Sequence, residues 1–178
     1  MSQGTPLGGC YRRNCVSCVL TTNTTWAQTK AMAGRICDVL GAPTPEDLAL
    51  RSFPAPEVVA ANEAALIADV RLGYRSAYVL SLARSITSGA LDLEALRVSL
   101  LPTPDLRREL LRLPGVGPYA AATLLMILQR YDELAIDTAL RAHVRRKYRD
   151  GAPITEREFH VLYELWGRWK YLGYWFDR

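Results

Sequence analysis

An all-α fold is predicted by three observations. Apolar residues recur at helical spacing through most of the chain. No stretch keeps the strict alternation of a half-buried strand. And the turn Leu113-Pro114-Gly115-Val116-Gly117 is too short to join anything but two helices packed as a hairpin. Ahead of it, Pro104 to Arg112 is amphipathic: Leu106, Leu110, Leu111 and Leu113 are apolar, while Arg107, Arg108, Glu109 and Arg112 are polar. Behind it, Ala120 to Gln129 reads as a buried helix, and Pro118 suits its first turn, where a missing N–H costs nothing. The two glycines permit positive φ and a close backbone approach. Gly115, Val116 and Gly117 are therefore expected to aim free N–H groups outward at a helix N-terminus, which makes a phosphate site.

At 178 residues the chain can bury a sizeable core as one domain. We read residues 1–9 as a disordered N-terminus and residues 10–178 as the domain, with the hairpin at about 104–130. The net charge of +4 and a pI of about 9.0 permit a nucleic-acid partner. Apolar runs such as Ala120 to Leu128 are too short to span a bilayer, so no membrane partner is expected. Met1 to Gly9 is polar and Gly-rich rather than a signal peptide, and a cytoplasmic location follows as an expectation. Cys10, Cys15 and Cys18 show a C-x4-C-x2-C spacing that one iron–sulfur class also uses. A matching fourth ligand is not evident, and Cys15 and Cys18 fall on an apolar helix face, so we expect buried free thiols.

In chain order, Cys10 to Leu20 reads as a helix. The polar run Thr21-Thr22-Asn23-Thr24-Thr25 stops it, because such side chains compete for backbone groups. Thr24 or Thr25 caps the next helix, Trp26 to Leu40, which ends at Gly41. Prolines 43, 45, 54 and 56 punctuate a surface segment with one short helix, Pro45 to Leu50. Glu57 to Val70 is helical; Gly73 breaks it, and a new helix runs to about Ser88. Asp92 to Val98 is short and helical. Beyond the hairpin, Thr138 to Tyr148 is a basic helix whose run of Arg141, Arg145, Arg146, Lys147 and Arg149 suits phosphate contact. Gly151 to Pro153 is a turn, and Thr155 to Glu158 has the form of a capping box. The aromatic C-terminus, Leu165 to Phe176, is read as mostly core rings, with Arg168 and Lys170 suited to phosphate contact.

The hairpin, with Asp137-Thr138 starting 18 positions after Tyr119, resembles the helix-hairpin-helix DNA glycosylase superfamily. The segment Leu72-Gly73-Tyr74-Arg75 and the cluster-free C-terminus are similar to its 3-methyladenine and 8-oxoguanine branch. The resemblance covers Val16 to the C-terminus; Met1 to Arg13 matches no part of the pattern. It implies a two-lobed helical fold with the hairpin and the active-site cleft between the lobes. It implies a monomeric DNA repair enzyme, associated with the nucleoid, that flips a damaged base from double-stranded DNA and hydrolyses its N-glycosidic bond.

The same resemblance assigns the residues. Asp137 is the catalytic carboxylate. Gly115, Val116, Gly117 and Tyr119 hold the DNA backbone. Asn23 fills the space of the extruded base, Tyr74 wedges into the stack, and Arg75 follows it into the groove. Trp26, at a helix start, is read either as lining the base pocket or as a core residue. The carbonyls of Leu111, Leu113 and Val116 would bind Na+ or K+. No cofactor is required, and the family's iron–sulfur cluster is not expected, because no cysteine follows Cys37.

Hydrolysis of the glycosidic bond develops positive charge on the sugar, which a carboxylate stabilises, and a helix N-terminus suits that negative group. Members that also cleave the strand carry a Lys where this chain has Tyr119; a phenol forms no Schiff base. A monofunctional enzyme is therefore expected, with alkylated purine as the first choice of base. Mismatched thymine or uracil, or an oxidised purine, is the alternative substrate. A non-catalytic hairpin module that only binds DNA is the alternative class.

Overall fold

The computed structural model describes residues 15–178, apart from residues 17 and 46. The expectations for residues 1–9, for a helix start at Cys10 and for Cys10 as a thiol lie outside the described residues. Those described are helical, and extended pairing is confined to an isolated antiparallel bridge between Pro43 and Arg51. No described helix is long and apolar enough to cross a membrane. The chain divides into two compact units. The first holds the described residues up to Leu100 together with Arg112–Val116; the second holds Leu101–Leu111 and Gly117–Arg178.

The first unit opens with α1, comprising residues 15, 16 and 18–20. Cys15 and Cys18 are buried free thiols, as expected. Burial pushes the Cys15 thiol up to about 11 and, with Cys15 alongside, the Cys18 thiol up to about 12. Neither is a ready nucleophile or metal ligand at neutral pH.

Helix α2 runs Trp26–Leu40. Thr25 caps it in a box: the Gln28 N–H donates to Thr25 Oγ1 at 3.3 Å and the Thr25 N–H donates to Gln28 Oε1 at 3.0 Å. Gly41 ends α2 in an extended conformation, φ −78°, rather than the left-handed one. Glycine is required there for space. A Cβ at Gly41 would lie 2.1 Å from the Ser52 carbonyl oxygen and 2.5 Å from that of Cys37.

Two expectations fail in this unit. The segment from Pro45 to Leu50 is not helical among its described residues. Asp47 Oδ1 instead accepts from the Ala49 N–H at 2.9 Å, and the Thr44 N–H donates to the Leu50 carbonyl at 2.9 Å, closing the loop beside the bridge. A short polar side chain has outcompeted the helix for its own backbone. The run from Glu57 to Val70 is also not one helix. It comprises α3 (Pro56–Ala61), α4 (Glu63–Ala65) and a π-helical turn, Leu66–Val70. Asn62 breaks it by donating from its amide to the Val58 carbonyl at 2.7 Å. The break before the next helix comes at Arg71, φ +56°, ahead of Gly73. Arg35 of α2 donates to the Val70 carbonyl at 2.8 Å and so satisfies that helix end. Helix α5 (Arg75–Thr87) then packs against α3, and α6 (Leu93–Arg97) is capped by Asp92.

In the second unit α7 (Thr103–Leu111) packs against α8 (Pro118–Ile127), which is apolar on all sides as the sequence indicated. Thr103 donates to Asp132 at 3.0 Å, so the link after α8 is tied back to the start of α7. Helix α9 is Thr138–Tyr148, with Asp137 as its cap. Thr155 and Glu158 form the expected capping box of α10 (Glu156–Leu162). A 3₁₀ segment, Glu164–Trp169, kinks at Gly167 and leads into α11, Lys170–Asp177. Leu134, Leu140, Val144, Phe159, Tyr163 and Tyr174 form a core between α9, α10 and α11. The C-terminal rings are not mostly core: Tyr171 and Tyr174 are buried, but Trp166, Trp169, Trp175 and Phe176 are exposed. Helix α11 presents only one stripe inward, which leaves Trp175 and Phe176 on its other faces, while Trp166 and Trp169 belong to the preceding 3₁₀ segment.

At the end of α11, Asp177 gathers four side chains. Its Oδ2 meets His143 Nε2 at 2.8 Å and the Tyr163 hydroxyl at 3.0 Å. Its Oδ1 accepts from Lys147 Nζ at 2.8 Å and from the Tyr148 hydroxyl. Burial alone would raise this carboxyl, but the bonds from Lys147, Tyr148, His143 and Tyr163 outweigh it and hold the group below its ordinary 3.8.

Two stability predictions follow from these contacts. Gly41→Ala should lower the melting temperature by several degrees, because two backbone carbonyls must move, at about 1–3 kcal/mol. Gly34→Ala, in α2 with nothing within 4 Å of the new Cβ, should raise it by about 0.5–1 kcal/mol equivalent. For pH, the depressed folded value of Asp177 means its stabilisation is complete above about pH 4 and is lost as pH falls through that value. Thermal melts between about pH 4 and pH 2 should therefore fall more steeply for wild type than for Asp177→Asn.

Candidate functional site

Asp137 sits half-buried ahead of α9, in an extended conformation with φ −105° and ψ −176°. That geometry turns its carboxylate back over the helix. Oδ1 accepts from the Leu140 N–H at 2.7 Å, and Oδ2 has no protein hydrogen bond among the described residues. One oxygen is thus anchored by the helix N-terminus while the other is available to a ligand. Three phenols share its surroundings. Burial raises Tyr171 and Tyr174 above the ordinary tyrosine range, and the charge of Asp137 adds to both shifts. A hydrogen bond from Trp175 opposes the shift on Tyr171, and Arg178 opposes it on Tyr174. Both phenols keep their protons at neutral pH. Tyr119, in the first turn of α8 and 38% exposed, acts electrostatically on the same two rings. Sequence reasoning assigned Tyr171 and Tyr174 only to the core; their i, i+3 spacing on the last helix was the signal.

In the hairpin only part of the expected amide cradle is free. Gly115 has φ +76°, but Gly117 is extended, with φ −92° and ψ −177°. The Val116 N–H is not available: it donates to the Leu113 carbonyl at 3.1 Å, closing the turn. No side-chain hydrogen bond caps α8 at Gly117. Space for a Cβ at Gly117 is open, so its amide can be approached closely.

In the first unit, Asn23, Tyr74, Arg75 and Gly115 are brought into one linked set. Asn23 is exposed and left-handed, with φ +50°. Arg75 does not extend from the surface as the resemblance implied. It is 9% exposed, and its guanidinium donates to the carbonyls of Thr22 and of Asn23, the latter at 3.2 Å. It also lies 4.5 Å from the centre of the Tyr74 ring. Arg75 thus holds the turn that carries Asn23 through bonds to two of its main-chain carbonyls. Tyr74 remains 53% exposed and donates weakly to the Thr22 carbonyl at 3.4 Å. Its ring meets Tyr78 edge-on at 6.1 Å, and Tyr78 in turn packs against Gly115, where a Cβ would fall 2.8 Å from the ring. Tyr78 went unnoticed in the sequence, although it stands four residues from Tyr74 on one helix face.

Trp26 is 69% exposed, neither core nor part of a described pocket. The basic run of α9 is mostly paired within the protein. Arg141 meets Glu156 at 3.0 Å, Arg149 meets Glu158 at 3.2 Å, Lys147 meets Asp177, and Arg145 donates to the Gly151 carbonyl at 2.8 Å. Lys170 is paired with Glu164 at 3.0 Å, and Arg168 stacks over Trp169. The described residues contain no group of three or more His, Cys, Asp or Glu that could hold a metal ion.

No family model and no curated protein matches the chain by sequence. Solved structures do match. MBOgg1 in complex with a low-affinity DNA ligand superposes with a TM-score of 0.77 at 24% identity, over 92% of this chain and 58% of that one. The Clostridium acetobutylicum 8-oxoguanine glycosylase/lyase, in its apo form, gives 0.76 at 20% identity over 94% of this chain and 59% of that one. The Schizosaccharomyces pombe 3-methyladenine DNA glycosylase Mag1, in complex with abasic DNA, gives 0.74 at 18% identity over 94% and 78%. The chain spans less than three fifths of the first two. Its fold is that of the helix-hairpin-helix DNA glycosylases, as the sequence resemblance implied.

The contact of Tyr78 with Gly115 can be tested by a double-mutant cycle. Gly115→Ala should destabilise through both its φ and the ring. In a Tyr78→Ala background the cost should shrink to about 1 kcal/mol, the left-handed strain alone. Equal costs in both backgrounds, measured by denaturant unfolding, would show that the ring contact is not formed.

Proposed function

We propose that this chain, with the fold of the helix-hairpin-helix DNA glycosylases, is a monofunctional DNA glycosylase of base excision repair. It would take a damaged base out of double-stranded DNA and hydrolyse its N-glycosidic bond. The observation that carries this reading is the Asp137 carboxylate, with one oxygen anchored on the Leu140 N–H and the other unpartnered.

On this reading the C1′–N bond breaks with its electron pair leaving on the base. Asp137 Oδ2 faces the sugar as positive charge develops there and orients the water whose oxygen bonds to C1′. The water proton passes through the carboxylate to solvent or to the departing base. Tyr171 and Tyr174, held as neutral phenols, can donate to that base or to the water without adding charge. Tyr119 supports the monofunctional assignment, because a phenol cannot form the imine through which strand cleavage proceeds.

Backbone contact would come from the amides of Gly115 and Gly117 and from the start of α8, with Tyr119 alongside and Val116 shaping the turn. Asn23 and Tyr74 would occupy the duplex at the site of extrusion, and Arg75 would hold their turn. Trp26 is accessible to a flipped base. The carbonyls of Leu111, Leu113 and Val116 would hold a monovalent cation, Na+ or K+, which would add positive potential near a phosphate; Leu113 already accepts the Val116 amide with one lone pair. No redox or organic cofactor enters this scheme, and the protein acts as a monomer on DNA in the cytoplasm.

An alkylated purine is the first choice of base, because the phenol rings around Asp137 suit an electron-poor, cationic ring. The likeness to the C. acetobutylicum 8-oxoguanine glycosylase/lyase favours an oxidised purine as the second.

Base release from a panel of alkylated, oxidised and mismatched duplexes tests the proposal. Wild type should release one class, and Asp137→Asn should lower that rate about a hundredfold or more at unchanged duplex affinity. Release by neither protein would support a DNA-binding module without turnover. Borohydride added to the reaction should trap no covalent adduct; a trapped adduct would contradict the role given to Tyr119.

A further inference from the structure

Helix α9 carries the proposed catalytic group at its first turn and a separate polar cluster at its other end. Four donors converge there on Asp177, the penultimate residue of the chain. Three of them, His143, Lys147 and Tyr148, belong to α9, and the fourth, Tyr163, follows α10. Lys147 also donates to the Asp177 main-chain carbonyl at 2.8 Å. His143 is buried, and its Nδ1 has no hydrogen-bond partner among the described residues. Its only described polar anchor is therefore Asp177, while the Tyr174 and Tyr148 rings lie edge-on to it at 6.1 and 6.4 Å. Removing the carboxylate would leave a buried imidazole and a buried phenol unpaired at once.

We infer that Asp177 is a positioning residue for Asp137: it clasps the last turn of α11 to the second half of α9. It thereby fixes the carboxylate at the start of α9 against Tyr171 and Tyr174 of α11. A helix is stiff over three turns, so a hold on one end constrains the other. The apolar core between α9 and α11 supplies cohesion but little resistance to sliding, because hydrophobic burial is not directional. Four bonds to one carboxylate, two on each oxygen, set register as well as distance. Lys147, exposed on its outer side, adds charge to a cluster that the buried groups orient. This inference rests on the glycosylase reading for its catalytic consequence, but the clasp itself has an independent reporter. The Leu140 N–H, bonded to Asp137 Oδ1, records how firmly the carboxylate is held.

The test compares wild type with Asp177→Asn, well below both melting temperatures. Amide hydrogen exchange at Leu140 should accelerate about tenfold or more, while exchange at Glu158, capped by Thr155 in α10, should change little. On whichever lesion duplex wild type processes, the single-turnover excision rate should fall about tenfold with duplex affinity unchanged, a loss in the chemical step rather than in binding. Unchanged exchange at Leu140, or equal acceleration at Leu140 and Glu158, would overturn the clasp and leave Asp177 a stabilising residue only. If wild type excises no base, the glycosylase reading fails, and the exchange result still decides the clasp. Should Asp177→Asn not fold, Tyr148→Phe removes one donor with its ring kept and should shift the Leu140 exchange in the same direction; no shift there would contradict the inference.

Discussion

A hydrogen bond of 2.7 Å from the Leu140 N–H to Asp137 Oδ1 is the constraint on which the rest of the structure's chemistry depends. It performs two tasks with one side chain. It satisfies an amide that α9 would otherwise leave unpaired at its start, and it fixes the rotation of the carboxylate while leaving Oδ2 without a hydrogen bond among the described residues. The helix end adds its partial positive charge behind the anion. A carboxylate so held does not need to reorganise when a cation forms in front of it, which is how preorganised electrostatics lowers a barrier. Tyr171 and Tyr174 complete the setting with protons that burial prevents them from losing.

The first unit works by a different principle. Its candidate DNA-facing residues are short or exposed, and none is rigid alone. Rigidity comes from behind. Arg75, bonded to the Thr22 and Asn23 carbonyls, holds the turn in its left-handed form, and Tyr78 lies between Tyr74 and Gly115. A buried arginine that gives its donors to backbone carbonyls cannot also reach a groove. The residue that resembles a DNA-reading cation is thus, in this structure, the support for its neighbours. On α9, Arg141, Arg145, Lys147 and Arg149 pair at the surface with carboxylates or a carbonyl of the same chain. Net positive charge in the sequence is therefore a poor guide to how much of it faces a phosphate.

What was legible in the sequence was local. The limits of α2 and α9 and the start of α10 coincide with the reading because Thr25, Asp137 and Thr155 signal their own helix starts through short-range bonds. The hairpin was legible for the same reason: a Pro-Gly turn between two apolar faces admits few other structures. The π-helical turn at Leu66–Val70 was not, since an Ala-rich run looks alike whether its bonds span four residues or five. Nor was the fate of Val116, whose amide is consumed by the turn it helps to form. The inward course of Arg75 depends on carbonyls more than fifty residues earlier. The Asp177 cluster joins residues 34 apart, His143 and Asp177, a separation over which no motif can be read. The parts of the proposed site that bear chemistry were visible as residue types; the parts that aim them were visible only in the fold.

The central claim is that Asp137 stabilises positive charge on a sugar, and its most direct test is charge discrimination in binding. Two duplexes that differ only at an abasic position, one with a cationic pyrrolidine and one with a neutral tetrahydrofuran, isolate that interaction. Wild type should bind the cationic duplex at least about a hundredfold tighter, as transition-state mimics bind tighter than ground-state ones. In Asp137→Asn the difference should largely vanish while affinity for the neutral duplex is kept. Equal affinity of wild type for the two duplexes would contradict the account.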